Sequence, residues 1–144
     1  MRNYKNIKAW QYADDLTVEI YRQTQGFPRE EVYGLANQLR RASYSVPSNI
    51  AEGSARSSKK EYLHFLYISR GSLSETEYFI HLSLRLGYIS NQTYNTLTNQ
   101  VNSTFARLHG LIKAVEKETG RLKKGVALLT STLVIGLGKT ALNT

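Results

Sequence analysis

From Lys5 to Gln25, Ile7, Trp10, Ala13, Leu16 or Thr17, Ile20 and Tyr21 recur three or four residues apart. That spacing is one face of a helix. Gly26, Phe27 and Pro28 end it, and Glu30 and Glu31 stand where acidic side chains favour a new helical N-terminus. The second helix is expected from Glu30 to Ala55 on the row Leu35, Leu39, Ala42, Val46 and Ile50. Pro47 falls inside it. A proline lacks the backbone donor and crowds the preceding turn, so the sequence predicts a kink there, or two shorter helices meeting at Ser45 and Val46.

Ser58 followed by Glu61 has the spacing of a capping box and opens a third helix that runs to about Leu86, where Gly87 supplies the stop. Ser90 or Asn91 can cap the fourth. Its stripe is Tyr94, Leu97, Val101, Phe105, Leu108, Leu111, Ile112 and Val115, ending at Gly120. No stretch before residue 120 alternates with period two, so the expected fold is all-α, an up-and-down four-helix bundle over residues 1–120. The third helix is unusual. Tyr62, Leu63, Phe65, Leu66, Tyr67 and Ile68, then Tyr78, Phe79, Ile80 and Leu82, nearly encircle its axis. A helix apolar on all sides is buried on more than one side, which predicts self-association through Tyr62, Leu63, Tyr67, Tyr78 and Leu82.

Residues 121–144 read differently: Arg121, Lys123 and Lys124, then a largely apolar run from Val126 to Gly138 interrupted by Thr130, Ser131 and Thr132. A membrane span needs about 20 apolar residues. The run is too short and predicts an irregular, loosely packed tail without a span. Composition sharpens the picture of partners. Nineteen basic side chains against 11 acidic give a net charge of +8, divided evenly between the two halves of the chain. An anionic partner is favoured, and RNA, DNA and an anionic membrane surface all meet that description. Cysteine is absent, and no apolar run of signal-peptide length follows Met1, so the expected compartment is the cytoplasm.

Candidate chemistry is sparse. Glu61 and His64 form one Glu-x-x-His step, whereas a di-iron bundle needs two such steps and two further glutamates, and Glu77 and His81 are four apart. Gly138, Lys139 and Thr140 end like a phosphate-binding loop, but Leu133 occupies the position of its first glycine. His64, His81 and His109 have no identifiable nucleophile or paired acid. The reading is therefore non-enzymatic, with no cofactor, metal or small-molecule substrate. Basic residues give the stronger signal. Up-and-down topology brings Arg56, Lys59 and Lys60, after the second helix, to the same pole as Arg121, Lys123 and Lys124; Arg40 and Arg41 add to the basic stretch. A protein-interaction scaffold that binds no nucleic acid is the alternative.

Several strings are familiar: Phe27-Pro28 with Glu31, Tyr33-Gly34-Leu35, Gln38-Leu39-Arg40-Arg41-Ala42 and, most specific, Val46-Pro47-Ser48-Asn49-Ile50-Ala51-Glu52-Gly53, followed by Phe65-Leu66 and Gly71-Ser72 with Glu75. From Tyr4 to Lys117 the chain resembles the bacterial four-helix bundle family named for proteins encoded in intervening sequences of 23S ribosomal RNA genes. That resemblance implies an up-and-down bundle assembled as a homopentamer, without established enzymatic activity. It also implies a distant kinship with the accessory protein of diversity-generating retroelements, which works with nucleic acid. Asn49, Glu52 and Glu75 match polar positions of the family pattern. They are read as structural: Asn49 and Glu52 for backbone groups freed near Pro47, Glu52 or Glu75 as partners of Arg40 or Arg41. Ser69 and Thr76 depart from apolar positions of that pattern, which predicts locally looser packing.

Overall fold

The computed structural model of the protein describes residues 2–140, of which residues 122, 123 and 129–140 are described in backbone only. A 3-10 turn, Tyr4–Asn6, leads into α1 (Lys8–Thr24); a second, Arg29–Glu31, precedes α2 (Leu35–Ser54); α3 (Lys59–Arg85) and α4 (Asn91–Thr140) complete the element order. Each helix touches its sequence neighbours, and α1 also touches α4, which closes a four-membered ring. This is the expected all-α bundle.

The helices form where local rules place them. On α1, Ala9, Ala13, Leu16, Ile20 and Thr24 are buried at three- and four-residue spacing. Ser58 Oγ accepts from the Glu61 amide at 3.1 Å, and the Ser58 hydroxyl donates to the Glu61 carboxylate at 3.0 Å, so this box is closed between side chains. Ser90, of the two candidates, caps α4 by accepting from the Thr93 amide. At the end of α3, Gly87 takes a positive φ of 73°. Its amide donates to Leu84 O and the Tyr88 amide to Ser83 O, the paired bonds of a Schellman turn.

Three expectations are corrected. First, α2 starts at Leu35, not Glu30, because the helix is capped from a distance. Glu31 Oε2 accepts from the Leu35 amide at 2.7 Å while Glu31 Oε1 accepts from the Tyr88 hydroxyl at 2.9 Å. That second bond also holds the Tyr88 phenol above its ordinary pKa. Second, α2 runs through Pro47 as one helix and not as two shorter ones meeting at Ser45 and Val46. The missing amide leaves the carbonyl of Ser43 without its helical donor, and Thr17 Oγ1 of α1 lies 3.0 Å from that oxygen, sharing its proton with Ala13 O at 2.8 Å. Third, Gly120 does not end α4, which continues as helix to Thr140. Among the described residues only Gly87 has the positive φ of a glycine stop. The side chains of the expected tail beyond Leu128 lie outside the described residues.

The core joins all four helices, and its largest fully buried members include Tyr62, Leu16, Ile20, Leu39, Leu66, Leu73, Leu97 and Leu108. Buried serine and threonine hydroxyls are answered by carbonyls. Ser69 Oγ donates across to Val46 O at 3.0 Å and Thr76 Oγ1 back to Ser72 O at 2.8 Å, so both departures from the family pattern are fully buried with their hydrogen bonds made. Ser45 and Ser72 hydroxyls meet at 2.9 Å, another polar tie between α2 and α3.

Close approach of α2 to α3 depends on Gly53. A methyl carbon there would lie 2.8 Å from Phe65 Cβ and 2.9 Å from Tyr62 Cδ2, whereas one on Gly110 of α4 meets nothing within 4 Å. Gly53→Ala is therefore expected to destabilise by about 1–3 kcal/mol through overpacking. Gly110→Ala should stabilise by about 0.5–1 kcal/mol through restricted unfolded-state freedom. Denaturant midpoints at constant slope distinguish the two signs. Thr17→Val keeps the side chain's shape but leaves the Ser43 carbonyl without this donor, and its expected cost is about 1–3 kcal/mol by the same measurement.

Candidate nucleic-acid interface at the basic pole

The turn between α2 and α3 is short: Ala55 and Arg56 still donate to Glu52 O and Gly53 O, and Ser58 already caps α3. Arg56, Lys59 and Lys60 are thus fixed at one end of the bundle. The up-and-down arrangement returns α4 to the same end, where Lys59 Nζ forms an ion pair with Glu118 of α4. This bond, with the nearby charges of Arg2 and Arg121, holds the Glu118 carboxyl below its ordinary pKa.

The pole is less basic than a count of its cations suggests. Arg56 Nη2 lies 2.6 Å from Glu52 Oε1, and its guanidinium sits 4.8 Å above the Phe65 ring. Lys59 is matched by Glu118. Lys60, Arg121 and Lys124 are exposed and form no ion pair among the described residues; the side chain of Lys123 lies outside them. The structure adds a cation that the sequence reading missed. Arg2 stacks 5.0 Å from the centroid of Tyr62, a residue 60 positions away whose ring is 1% exposed. Nothing in the local sequence marks that contact. The Tyr62 hydroxyl is buried without a hydrogen-bond partner, and burial raises its pKa.

Two hollows open at this end. One, of about 540 Å³, is lined by Arg2, Ser54, Ala55, Arg56 and Ser57. The other is a groove of about 830 Å³ between α3 and α4, with Arg56, Lys60, Leu63, His64 and Tyr67 along one side and Thr119 on the other. Both present cations beside polar or aromatic surface, an arrangement able to hold a phosphate group.

Arg40 and Arg41 stand elsewhere. Arg40 Nε donates to Thr24 Oγ1 at 2.7 Å and its guanidinium lies 4.7 Å from the Tyr21 centroid, binding α2 to α1. At 1.5 Å of rise per residue, Arg40 and Arg56 are about 24 Å apart along α2. The three structural polar positions also separate. Asn49 Nδ2 donates to Ser45 O and Ser45 Oγ, two residues from the Ser43 carbonyl that Pro47 actually frees. Glu52 is paired with Arg56 and not with Arg40 or Arg41, and Glu75 is on the exposed side of α3.

The expected interface residues divide likewise. Tyr62 and Leu63 are spent in the chain's own core, and Leu82 packs half-buried against it. Tyr67 and Tyr78 are 40% and 57% exposed, with Ile68 at 39% on the same outward side. The Tyr67 hydroxyl donates to Glu116 of α4 at 2.9 Å, which raises its pKa, and Arg70 lies over its ring. Glu61, of the Glu-x-x-His step, is occupied by Ser58, while His64 meets the Phe65 ring edge-on at 5.7 Å. Among the described residues no group of three or more histidine, cysteine, aspartate or glutamate side chains is placed to hold a metal ion. No helix among them is long and apolar enough to cross a membrane.

Comparison with curated proteins gives no match. Among solved structures, the fold is similar to that of a protein of unknown function from the S23 ribosomal protein family of Bacteroides thetaiotaomicron VPI-5482. The TM-score is 0.67 at 24% identity, over 73% of this chain and 95% of that one. The model of the 23S rRNA-intervening sequence protein family matches residues 5–110, a span that takes in α1, α2, α3, their connecting turns and the bundled first part of α4. With the helix order, the Pro47 string and the pole built on them, the chain belongs to the 23S rRNA-intervening sequence protein family.

Proposed function

We propose that this protein is a non-enzymatic, cytoplasmic nucleic-acid-binding accessory protein that works as a homo-oligomer, the pentamer implied by its family resemblance. The observation that carries the reading is the convergence of Arg2, Arg56, Lys59, Lys60 and Arg121 on one end of the bundle. Assembly of several copies multiplies such a pole and strengthens a weak grip through multivalency. The outward side of α3 beyond the groove, where Ile68 and Tyr78 are exposed, is the surface we assign to a second copy.

A scaffold for other proteins is the competing reading, favoured by that same apolar side of α3. Nuclease treatment before affinity capture distinguishes them: a protein partner retained after digestion supports the scaffold, whereas loss of all co-purifying material supports nucleic acid.

Binding to a structured RNA should weaken steeply with salt, because displaced counterions set the dependence. Replacing Arg56, Lys59 and Lys60 together by alanine should weaken it further. Lys60→Ala alone should lower the slope of log K against log salt by about 0.7–0.9, one phosphate contact. Glu118→Gln releases Lys59 from its ion pair and is expected to tighten binding. Fluorescence anisotropy over a salt series reads each of these effects, and affinity unmeasurable at low salt overturns the proposal.

A further inference from the structure

We infer that the groove between α3 and α4 receives an unpaired nucleotide, its base against His64 and Tyr67 and its phosphate at Lys60. The inference rests on the nucleic-acid reading above and deepens it, from polyanion binding in general to single-stranded segments in particular. Three features carry it: the shape of the hollow, the order of chemistry along it and the fixed orientation of its aromatic wall.

At about 830 Å³ the groove has the dimensions of a small-ligand cleft, about 300–1,000 Å³. It is lined by Leu63, His64, Phe65 and Tyr67 beside Arg56 and Lys60. A double helix offers such a surface sugars and phosphates, with its bases stacked away inside. Only a base released from pairing presents a flat apolar face to the floor while its own phosphate remains within reach of the cations. The charge order agrees. Arg56 is already answered by Glu52, and Glu61, the acid of the groove, accepts from the Ser58 hydroxyl. Lys60 is left as the cation at the groove's edge without an acidic partner among the described residues.

Tyr67 is held before any ligand arrives. Its hydroxyl is bonded to Glu116 and Arg70 lies 5.0 Å from its centroid, so little side-chain freedom remains to be lost on stacking. Phe65 is fixed between Arg56 at 4.8 Å and His64 at 5.7 Å. The groove therefore presents an ordered aromatic wall ending in a cation, the combination by which single strands are gripped without reading their sequence.

The test compares an unstructured oligouridylate with a blunt RNA duplex of equal length, on the full chain at low salt. The single strand should bind more tightly. The double variant His64→Ala, Tyr67→Ala should lower single-strand affinity roughly tenfold, in line with the loss of base stacking, and lower duplex affinity by much less. Tyr67→Phe keeps the ring and should keep the preference. Equal affinity for both forms, with the double variant indistinguishable from the parent, overturns the inference while leaving the basic-pole reading intact. Failure of both RNAs to bind overturns that reading as well. Sedimentation of the double variant closes the remaining route: a smaller assembly than the parent's means that a second copy covers the groove, and the nucleotide has no place there.

Discussion

The second helix can cross the middle of this bundle because a carbonyl that proline leaves unserved is met by a hydroxyl from the first. Pro47 is buried and Ser43 is 1% exposed, so an unpaired carbonyl there carries a cost of desolvation. Thr17 supplies the missing donor. The same helix turns other polar atoms toward α3, through Val46 O to Ser69 and Ser45 to Ser72. The bond from Thr17 fixes α2 against α1 in depth and rotation, and the serines do so against α3. The turn after α2 and the start of α3 take their positions from that placement.

Gly53 shows how far the placement reaches. Because α2 and α3 are held so close that a methyl group does not fit between Gly53 and Phe65, the turn joining them is compact. That compactness keeps Arg56, Lys59 and Lys60 at one end of the bundle, with Tyr62 beneath Arg2. The pole is thus a product of core packing two turns away. A small residue in the interior determines the spacing of charges on the surface.

Much of this was legible in the sequence where the physics is local. Most stripe positions, the Ser58 and Ser90 caps and the Gly87 stop depend on residues within four or five positions of one another, and the structure places these as read, whereas Tyr21 of the first stripe is 41% exposed. Long-range partners were not legible. The cap of α2 draws on Tyr88, 57 residues from Glu31, and the Ser43 carbonyl freed by Pro47 draws on Thr17, 26 residues before it. The crowded apolar circumference of α3 resolved into a buried side with Tyr62 and Leu63 and an outward side with Ile68 and Tyr78, a division that depends on where the neighbouring helices lie. Arg40 and Arg41 share a composition with the pole but not a position, since helical rise carries them away along α2. Gly87 and Gly120 are the same residue type after similar stripes, yet only the first adopts the left-handed conformation that ends a helix.

The ion pairs of the pole bear on timing as much as on strength. Glu52 and Glu118 already occupy Arg56 and Lys59, so a phosphate reaching the pole would compete with a carboxylate a few ångströms away, and on leaving would return the cation to a waiting partner. Such internal exchange lowers the penalty of letting go. A surface built in this way is suited to brief, repeated encounters with a polyanion, moving from one phosphate to the next, and resists becoming trapped on the first it meets.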